Sequence, residues 1–322
     1  MLTDYNVRSS DVVSRRIDLP AVSKPSVASP VTDATFDGVT PSDHDHDLVT
    51  LFENNRTVVE ELKRQGKIRV RKKIRSPCLH TAARQWEKET RILGRLSHLH
   101  IVKVLEWDPH LWSIDFEHGG NDLASLRNAT NMFSLSINLL NVQERVWTHM
   151  ASALDYLHNK QNIKHCDIKP HNILLSDDHQ TAKLCDFGHA RNMPDVVTGG
   201  GTHCYIAPEF LLCGEIGAAS DIWALGITML FVLNIIPLPG TESGAETWQI
   251  NKLVDDRVER QKMRRWLATV TKAIDRIPAR WSKLKEMLEF DPEVRITAAQ
   301  LAQGLKSTTK QEHAHPQQCL EA

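Results

Sequence analysis

Apolar and polar residues alternate in the first clearly patterned stretch of the chain. The residues that recur there at every second position are Ile68, Val70, Lys72 and Ile74. Because side chains two apart in a strand point to the same side, these four are predicted to share one face of a β-strand. The preceding Gln65-Gly66 is a turn signal, so the pattern predicts a two-stranded hairpin over residues 58–74.

After the hairpin the apolar spacing changes from two residues to three and four. A broken apolar stripe predicts a helix over residues 82–96, and two short apolar runs, at residues 101–105 and 111–116, predict two more strands. Beyond this point helical spacing dominates, beginning with a helix that Asn141 can cap. Strands followed by helices are typical of an α+β chain with two segregated lobes.

The most apolar run of the chain, residues 222–236, is predicted to be a buried core helix. It is about 15 residues long, whereas a membrane span needs about 18 or more. The formal net charge of −1 gives no strong attraction to nucleic acid or to anionic membranes. All 6 cysteines stand singly and the N-terminus lacks the apolar segment of a signal peptide, so we expect a cytoplasmic or nuclear protein.

Composition predicts one central domain between two tails. Residues 1–46 are rich in Ser, Thr, Asp and Pro without apolar periodicity, so they are expected to be disordered. Residues 307–322 are polar and are expected to form a flexible tail. The domain over residues 47–306 divides into an N-terminal part, about 47–116, and a C-terminal part, about 117–306.

The residues with the strongest chemical pattern form three short blocks in the second half of the chain. They are His165-Cys166-Asp167-Ile168-Lys169-Pro170-His171-Asn172, then Asp186-Phe187-Gly188, then Ala207-Pro208-Glu209. In this order and at these distances, the blocks resemble the catalytic loop, the magnesium loop and the end of the activation segment of protein kinases. One three-residue match would mean little, but three linked blocks are specific for this family.

The resemblance implies the bilobal protein-kinase fold, with a small, mainly-β N-lobe that carries one helix and a larger, mainly-α C-lobe. It implies ATP and Mg²⁺ as cofactors, and a protein substrate whose serine or threonine hydroxyl receives the γ-phosphoryl group. In such a site Asp167 orients the hydroxyl, and Lys169 places its ammonium beside the migrating group. Asn172 and Asp186 are oxygen ligands suited to Mg²⁺. Lysine at position 169 is typical of serine/threonine kinases.

The family also needs a strand lysine that binds the α- and β-phosphates and a helix glutamate that pairs with it. Lys72 is the candidate because it lies on the inward face of its strand, whereas Lys73 would point the other way. Glu89 has the spacing of the helix glutamate. The other residues expected to bind the nucleotide are Val59, Asp115 and Glu117.

Four further residues match the scaffolding of the kinase C-lobe. The resemblance implies a buried ion pair between Glu209 and Arg295 that anchors the activation segment. It implies that Asp221 holds the backbone of the catalytic loop from a buried helix. Thr202 is expected to hydrogen-bond near Asp167.

Two departures from the family pattern bear on activity. The stretch 52–59, where kinases carry a glycine-rich loop over the phosphates, has no glycine. Asparagine tolerates left-handed backbone, which makes Asn54 and Asn55 candidates to replace glycine. Cys166 stands where the family usually has an arginine that pairs with an activation-loop phosphate. Activity is therefore predicted not to require phosphorylation of Thr198.

Two alternatives to an active protein kinase remain open at this stage. The glycine-free loop is compatible with a pseudokinase, which would keep the fold and act as a binding or scaffolding module. A kinase-fold phosphotransferase that acts on small molecules is the other alternative. Ala207-Pro208-Glu209 and Arg295 argue against it, because they belong to the activation segment used with protein substrates.

Overall fold

The computed structural model describes residues 48–64, 66–126, 140–240 and 247–313. All of them fall within the unit Asp45–Ala322. The predicted N-terminal tail, residues 1–46, lies outside the described residues, as do residues 314–322 of the predicted C-terminal tail.

The N-terminal part is built from an antiparallel sheet and one helix. Its elements are β1 (Val49–Glu53), β2 (Thr57–Arg64), β3 (Lys67–Ile74), α1 (Leu79–Leu93), β4 (Val104–Asp108) and β5 (Ser113–Glu117). The strand order is β1-β2-β3-β5-β4. Strands β2 and β3 form the predicted hairpin, and Gly66 in its turn has a φ of 75°, which favours glycine.

Two elements of this part are displaced from their predicted positions. Helix α1 begins and ends three residues earlier than expected, since Cys78 is its N-cap and Gly94 follows its last turn. Strand β4 begins at Val104 rather than at Ile101. The reason is that Ile101 forms an isolated parallel bridge with Leu184, so the chain before β4 is hydrogen-bonded to the C-terminal part instead of to the sheet.

The C-terminal part is mainly helical. Its elements are β6 (Asn121–Asp122), α2 (Leu140–Asp155), β7 (Ile163–Lys164), β8 (Ile173–Leu175), β9 (Ala182–Leu184), β10 (Arg191–Asn192), α3 (Phe210–Cys213), α4 (Ala218–Val232), α5 (Arg257–Ile274), α6 (Lys283–Met287) and α7 (Ala298–His313). Strand β6 pairs with β8, β8 with β9, and β7 with β10. The first sequence block lies between β7 and β8, the second between β9 and β10, and the third between β10 and α3.

Helix α4 forms the centre of the C-terminal part. Every residue from Ser220 to Val232 is buried, which confirms a core helix, although it spans Ala218–Val232 and so begins and ends four residues earlier than predicted. Gly226 allows its close packing, because a Cβ there would lie 2.7 Å from a methyl carbon of Leu288. In the described part of the chain, no helix combines the length and apolar character that a membrane crossing requires.

Two long helices of the C-terminal part, α2 and α7, differ from prediction at their ends. Helix α2 begins at Leu140, so Asn141 lies inside its first turn instead of capping it. Helix α7 continues to His313, and the backbone is therefore helical beyond residue 306, where the sequence analysis ended the domain.

Three histidines pack where the segment before β4 meets α2 and β9. The rings of His100 and His149 are stacked with centroids 3.8 Å apart, and His98 stacks on Tyr156. The Nδ1 atom of His149 accepts a hydrogen bond of 3.1 Å from the backbone N–H of Ala182. Burial and the neighbouring His100 lower the pKa of His149 to about 4.

The depressed pKa of His149 predicts an acid-sensitive native state. In the unfolded chain this imidazole takes up a proton near its ordinary pKa of 6.5, whereas in the folded protein it does so near about 4. Unfolding therefore binds a proton between these values, and stability falls as the pH falls through this window. We expect His149→Asn, which keeps an acceptor for Ala182 but does not titrate, to flatten the pH dependence of the urea unfolding midpoint. Equal pH dependence in both proteins would contradict this prediction.

Candidate active site

An ammonium group on β3 joins the two parts of the chain. The Nζ atom of Lys72 lies 2.6 Å from Oε1 of Glu89 on α1 and 2.7 Å from Oδ1 of Asp186. Lys72 is 8% exposed and Glu89 only 1%. The expected lysine and glutamate are therefore paired in a buried position, and the aspartate of the second sequence block lies beside them.

The charges of this cluster stabilise one another. Burial alone would lower the pKa of Lys72, but the carboxylates of Glu89 and Asp186 outweigh it and raise that pKa well above its ordinary value. Burial works in the opposite direction on Asp186, and the ammonium of Lys72 overcomes it and holds the pKa of Asp186 well below its usual range. Lys72 is thus a fixed cation and Asp186 a fixed anion at neutral pH.

A second cluster surrounds Asp167. Its Oδ2 accepts a 2.8 Å hydrogen bond from Nζ of Lys169, and its Oδ1 accepts one of 2.8 Å from the hydroxyl of Thr202. Lys169 also donates to Thr202, at 2.9 Å. The carboxylate of Asp167 is therefore held at both oxygens, and Thr202 has the contacts that the sequence predicted.

Asp221 of α4 holds the loop that carries Asp167. The carboxylate of Asp221 accepts hydrogen bonds of 2.8 Å from the backbone N–H groups of both His165 and Cys166. It also accepts a 2.9 Å bond from Nε2 of His158, and Asp221 is 1% exposed. This buried carboxylate satisfies two loop amides, as expected from the sequence, whereas the partner His158 was not predicted.

The loop that carries Asp186 has a left-handed backbone. Asp186 has φ of 60° and ψ of 80°, and Phe187 turns inward, 1% exposed, with its ring edge against His165. The side chain of Asp186, in contrast, is 41% exposed. Its carboxylate is therefore accessible to solvent while it contacts Lys72.

The donor set near Asp186 fits Mg²⁺ only together with further oxygen ligands. The Nδ2 atom of Asn172 donates to the backbone oxygen of Asp167 at 2.8 Å, and the backbone of Asn172 accepts from Cys185 at 2.9 Å. Asn172 is therefore hydrogen-bonded to the residue that precedes Asp186. In the described ranges, no group of three or more His, Cys, Asp or Glu side chains could hold a metal ion by itself. Mg²⁺ commonly binds one or two protein ligands together with substrate phosphates, which is the arrangement that these residues fit.

Comparison with known families shows to which family this chain belongs. The sequence model described as "Protein kinase domain" matches residues 55–305. The chain belongs to the protein kinase family. Its sheet-containing N-terminal part and helical C-terminal part are the two lobes of the α+β kinase fold.

Three curated relatives illustrate the similarity. The serine/threonine-protein kinase RUNKEL of Arabidopsis thaliana is 36% identical over an alignment of 157 residues, which covers 44% of this chain and 10% of the relative. Protein lin-2 of Caenorhabditis elegans is 28% identical over an alignment of 226 residues, which covers 66% of this chain and 22% of the relative. The MAP kinase kinase skh1/pek1 of Schizosaccharomyces pombe is 46% identical over an alignment of 91 residues, which covers 27% of this chain and 24% of the relative. The chain thus spans less than a quarter of each of these relatives.

The hairpin that covers the phosphates in kinases has an unusual turn in this chain. Oδ1 of Asn54 accepts hydrogen bonds of 2.8 Å from the backbone N–H groups of both Arg56 and Thr57. Neither Asn54 nor Asn55 has a positive φ, so the expected replacement of glycine by left-handed asparagine is wrong. Instead, a side chain occupies two amides that glycine-rich loops leave for phosphate.

The three remaining residues expected at the nucleotide site have different surroundings. Val59 is the cross-strand neighbour of Lys72 on the same face of the sheet and is half-buried. The side chain of Asp115 lies on the opposite face, and both its oxygens accept from Arg71, at 2.6 and 2.8 Å. This carboxylate neutralises a strand arginine and does not face Lys72. Glu117, at the end of β5, accepts from Nζ of Lys183 at 2.5 Å, which ties the N-lobe to β9.

The link between the kinase lobes depends on two consecutive glycines, Gly119 and Gly120, that the sequence analysis did not single out. A Cβ at Gly120 would lie 2.0 Å from the carbonyl oxygen of Leu175, and Gly120 has a φ of 91°. A Cβ at Gly119 would lie 2.6 Å from the side chain of Leu174. Two consecutive glycines in the sequence were the available signal for this close approach, because residues without a Cβ let the linker lie directly on β8.

The activation segment ends in the predicted ion pair. NH1 and NH2 of Arg295 donate to the two oxygens of Glu209 at 2.9 and 2.8 Å, and the arginine side chain is fully buried. Ser220, which was not predicted, donates a third hydrogen bond to Glu209 at 2.9 Å. The segment is therefore fastened to α4 and to the chain before α7.

Proposed function

We propose that this chain is a serine/threonine protein kinase that transfers the γ-phosphoryl group of ATP to a protein hydroxyl, with Mg²⁺ as cofactor. One observation carries the proposal: Lys72 lies within hydrogen-bond distance of both Glu89 and Asp186. A cation on the N-lobe and an anion on the C-lobe then face the same cleft. Phosphoryl transfer needs this kind of positioned charge more than it needs covalent chemistry.

Each residue of the two clusters has a distinct part in this function. ATP would supply the phosphoryl group, and Mg²⁺ would neutralise the charge of its phosphates. Lys72, held by Glu89, would bind the phosphates, while Asn172 and Asp186 would hold the metal. These residues hold the cofactors in one orientation relative to the catalytic loop.

On the substrate side, Asp167 accepts a hydrogen bond from the hydroxyl that is phosphorylated. Because Lys169 and Thr202 fix both oxygens of this carboxylate, the direction of that hydrogen bond is set before the substrate arrives. The ammonium of Lys169 adds a positive charge next to the transferred group. Lysine at this position is also what favours serine and threonine over tyrosine as acceptors.

A second candidate function rests on the β1–β2 turn. Asn54 occupies the amides of Arg56 and Thr57, which would otherwise be free to bind phosphate oxygens. Such a turn favours a pseudokinase that binds nucleotide weakly and acts as a scaffold. The intact Lys72, Asp167 and Asp186 favour the kinase.

Phosphate transfer from labelled ATP separates the two functions. The purified chain is incubated with Mg²⁺, ATP labelled at the γ-phosphate and a generic basic protein, beside Asp167→Ala. We expect transfer by the wild type and a loss of about a hundredfold or more in the variant. No transfer by the wild type, together with no thermal shift on addition of Mg·ATP, would support the scaffold and contradict the kinase.

The proposed kinase is also expected to work without phosphorylation of Thr198. This residue is exposed in the activation segment, and Cys166 offers no positive charge to pair with a phosphate there. Thr198→Ala should therefore keep the wild-type rate of transfer.

Thr202→Ala, in contrast, should lower the rate of transfer about tenfold, because Asp167 and Lys169 lose the hydroxyl that they share.

Rates measured with protein treated with a phosphatase test this contrast. A folded Thr198→Ala protein that transfers no phosphate would show that the prediction is wrong.

A further inference from the structure

Lys164 is a buried lysine that neither the sequence analysis nor the proposed mechanism uses. It is the last residue of β7, stands directly before His165 and is only 4% exposed. Its Nζ donates to the backbone oxygen of Asp195 at 2.6 Å and to that of Ile216 at 3.0 Å. Both of these acceptors are carbonyl groups, and they belong to two segments far apart in the chain.

The two carbonyl groups connect the activation segment to the body of the C-lobe. Asp195 lies in the activation segment, and Ile216 lies in the loop before α4. The backbone N–H of Ile216 donates in turn to the carbonyl of Val197 at 2.9 Å. Lys164 therefore closes a ring of contacts in which the activation segment is held on one side by an ammonium and on the other by a backbone amide.

Backbone hydrogen bonds next to Lys164 also hold the activation segment. Strand β10 pairs with β7, with Arg191 opposite Lys164, and the N–H of Met193 donates to the carbonyl of Asn162 at 2.8 Å. Hydrogen bonds from unphosphorylated groups therefore hold the chain from Arg191 to Val197 at several points.

Hydrogen bonds from an ammonium are stronger than those between neutral groups, and burial removes the water that would compete with them. Cys166, two residues later, has a buried thiol whose pKa burial raises far above its usual range, so it brings no charge to the activation segment. Arg191, opposite Lys164, is the other cation beside this thiol, and Lys164 is the one that bonds to the carbonyl groups of Asp195 and Ile216.

We propose that Lys164 is a positioning residue that holds the activation segment in its substrate-binding arrangement without phosphorylation. The inference rests on the proposed kinase function and deepens it, because it names the residue that makes phosphorylation of Thr198 unnecessary. It also explains how the segment that begins at Asp186 and ends at Glu209 stays ordered beside the small Cys166.

Hydrogen exchange of individual amides tests the proposal without any catalytic step. The reporters are the N–H group of Ile216, which is bonded within the ring of contacts, and the N–H group of Met193, which is bonded to Asn162 beside it. In Lys164→Met, we expect both amides to exchange about ten- to a hundredfold faster than in the wild type, because the carbonyl groups of Asp195 and Ile216 lose their charged donor. Amides of β3 should exchange as before. Lys160→Met, which replaces an exposed lysine a few residues earlier, is the matched control and should change neither reporter.

Steady-state kinetics supply the second measurement. Lys164→Met is expected to raise the KM for the protein substrate while the KM for ATP stays near the wild-type value, since the nucleotide contacts are made elsewhere. Lys164→Gln, which keeps a neutral donor, should be intermediate in exchange and in KM. It also serves in place of the methionine variant if that protein does not fold.

The outcomes separate this proposal from the proposed function. Unchanged exchange at Met193 and Ile216 in Lys164→Met would overturn the role of Lys164, as would a uniform acceleration at all amides including those of β3. If the wild type transfers no phosphate, the kinase function fails, but the exchange result still decides whether Lys164 holds the activation segment.

Discussion

Lys72→Met is expected to lower the rate of phosphoryl transfer by at least about a hundredfold, the usual effect of removing one positioned charge from an active site. The reason is that Lys72 is a cation fixed by Glu89 and Asp186, and no methionine can bind a phosphate. Lys73→Met is the matched control. Its ammonium contacts Glu60 at 2.7 Å on the other face of the same strand, so the rate should stay within about twofold of the wild type.

The experiment must separate lost chemistry from lost stability. Removing Lys72 leaves the carboxylate of Glu89, which is 1% exposed, without its cation, and such a change is strongly destabilising. The double variant Lys72→Met, Glu89→Gln removes this buried charge as well. We expect it to recover much of the thermal stability of the wild type but none of the activity. Activity in the well-folded double variant would refute the assigned role of Lys72.

Arg295→Met is expected to cost about 3–5 kcal/mol of unfolding free energy, since it strands a buried carboxylate. The guanidinium donates to both oxygens of Glu209 and to the backbone carbonyls of Glu289 and Ala219, with none of the arginine side chain exposed. One substitution therefore removes contacts to three segments of the C-lobe.

Arg280→Met is the control for the loss of an arginine as such. Both arginines lie over a tryptophan ring: Arg295 is 5.3 Å from the centroid of Trp223, and Arg280 is 5.4 Å from that of Trp281. Arg280 is exposed, so its substitution should cost about 1 kcal/mol or less of unfolding free energy. Urea unfolding of both variants gives the comparison. Similar losses in the two proteins would mean that the Glu209–Arg295 pair contributes no more than a surface contact.

Local periodicity accounts for the parts of the fold that could be predicted from the sequence. Alternation around Lys72 placed it on the inward face of β3, and the apolar run before residue 236 identified α4 as a core helix. These predictions succeed because the side-chain direction in a strand or buried helix follows from spacing alone. Strand β4 could not be placed in the same way, since the contact of Ile101 with Leu184 joins residues that are distant in the chain.

The parts of the site that escaped prediction depend on which partner a polar group finds in the folded protein. Asp115 precedes the end of β5 in the sequence, but its direction depends on the pairing with β3 that brings Arg71 opposite it. Asn54 was considered for its backbone, whereas its side chain determines the turn. Lys164 is an unremarkable strand residue until the activation segment folds over it.

The most direct test of the account is the magnesium dependence of ATP binding, because it needs no knowledge of the protein substrate. Calorimetric titration of the wild type, Asp186→Asn and Asp178→Asn gives the comparison; Asp178 is an exposed carboxylate in the β8–β9 turn. We predict that Mg²⁺ tightens ATP binding by the wild type and by Asp178→Asn, and that Asp186→Asn loses this effect. ATP binding by the wild type that is absent, or that is indifferent to Mg²⁺, would contradict the proposed convergence of Lys72, Asn172 and Asp186 on a metal-bound nucleotide.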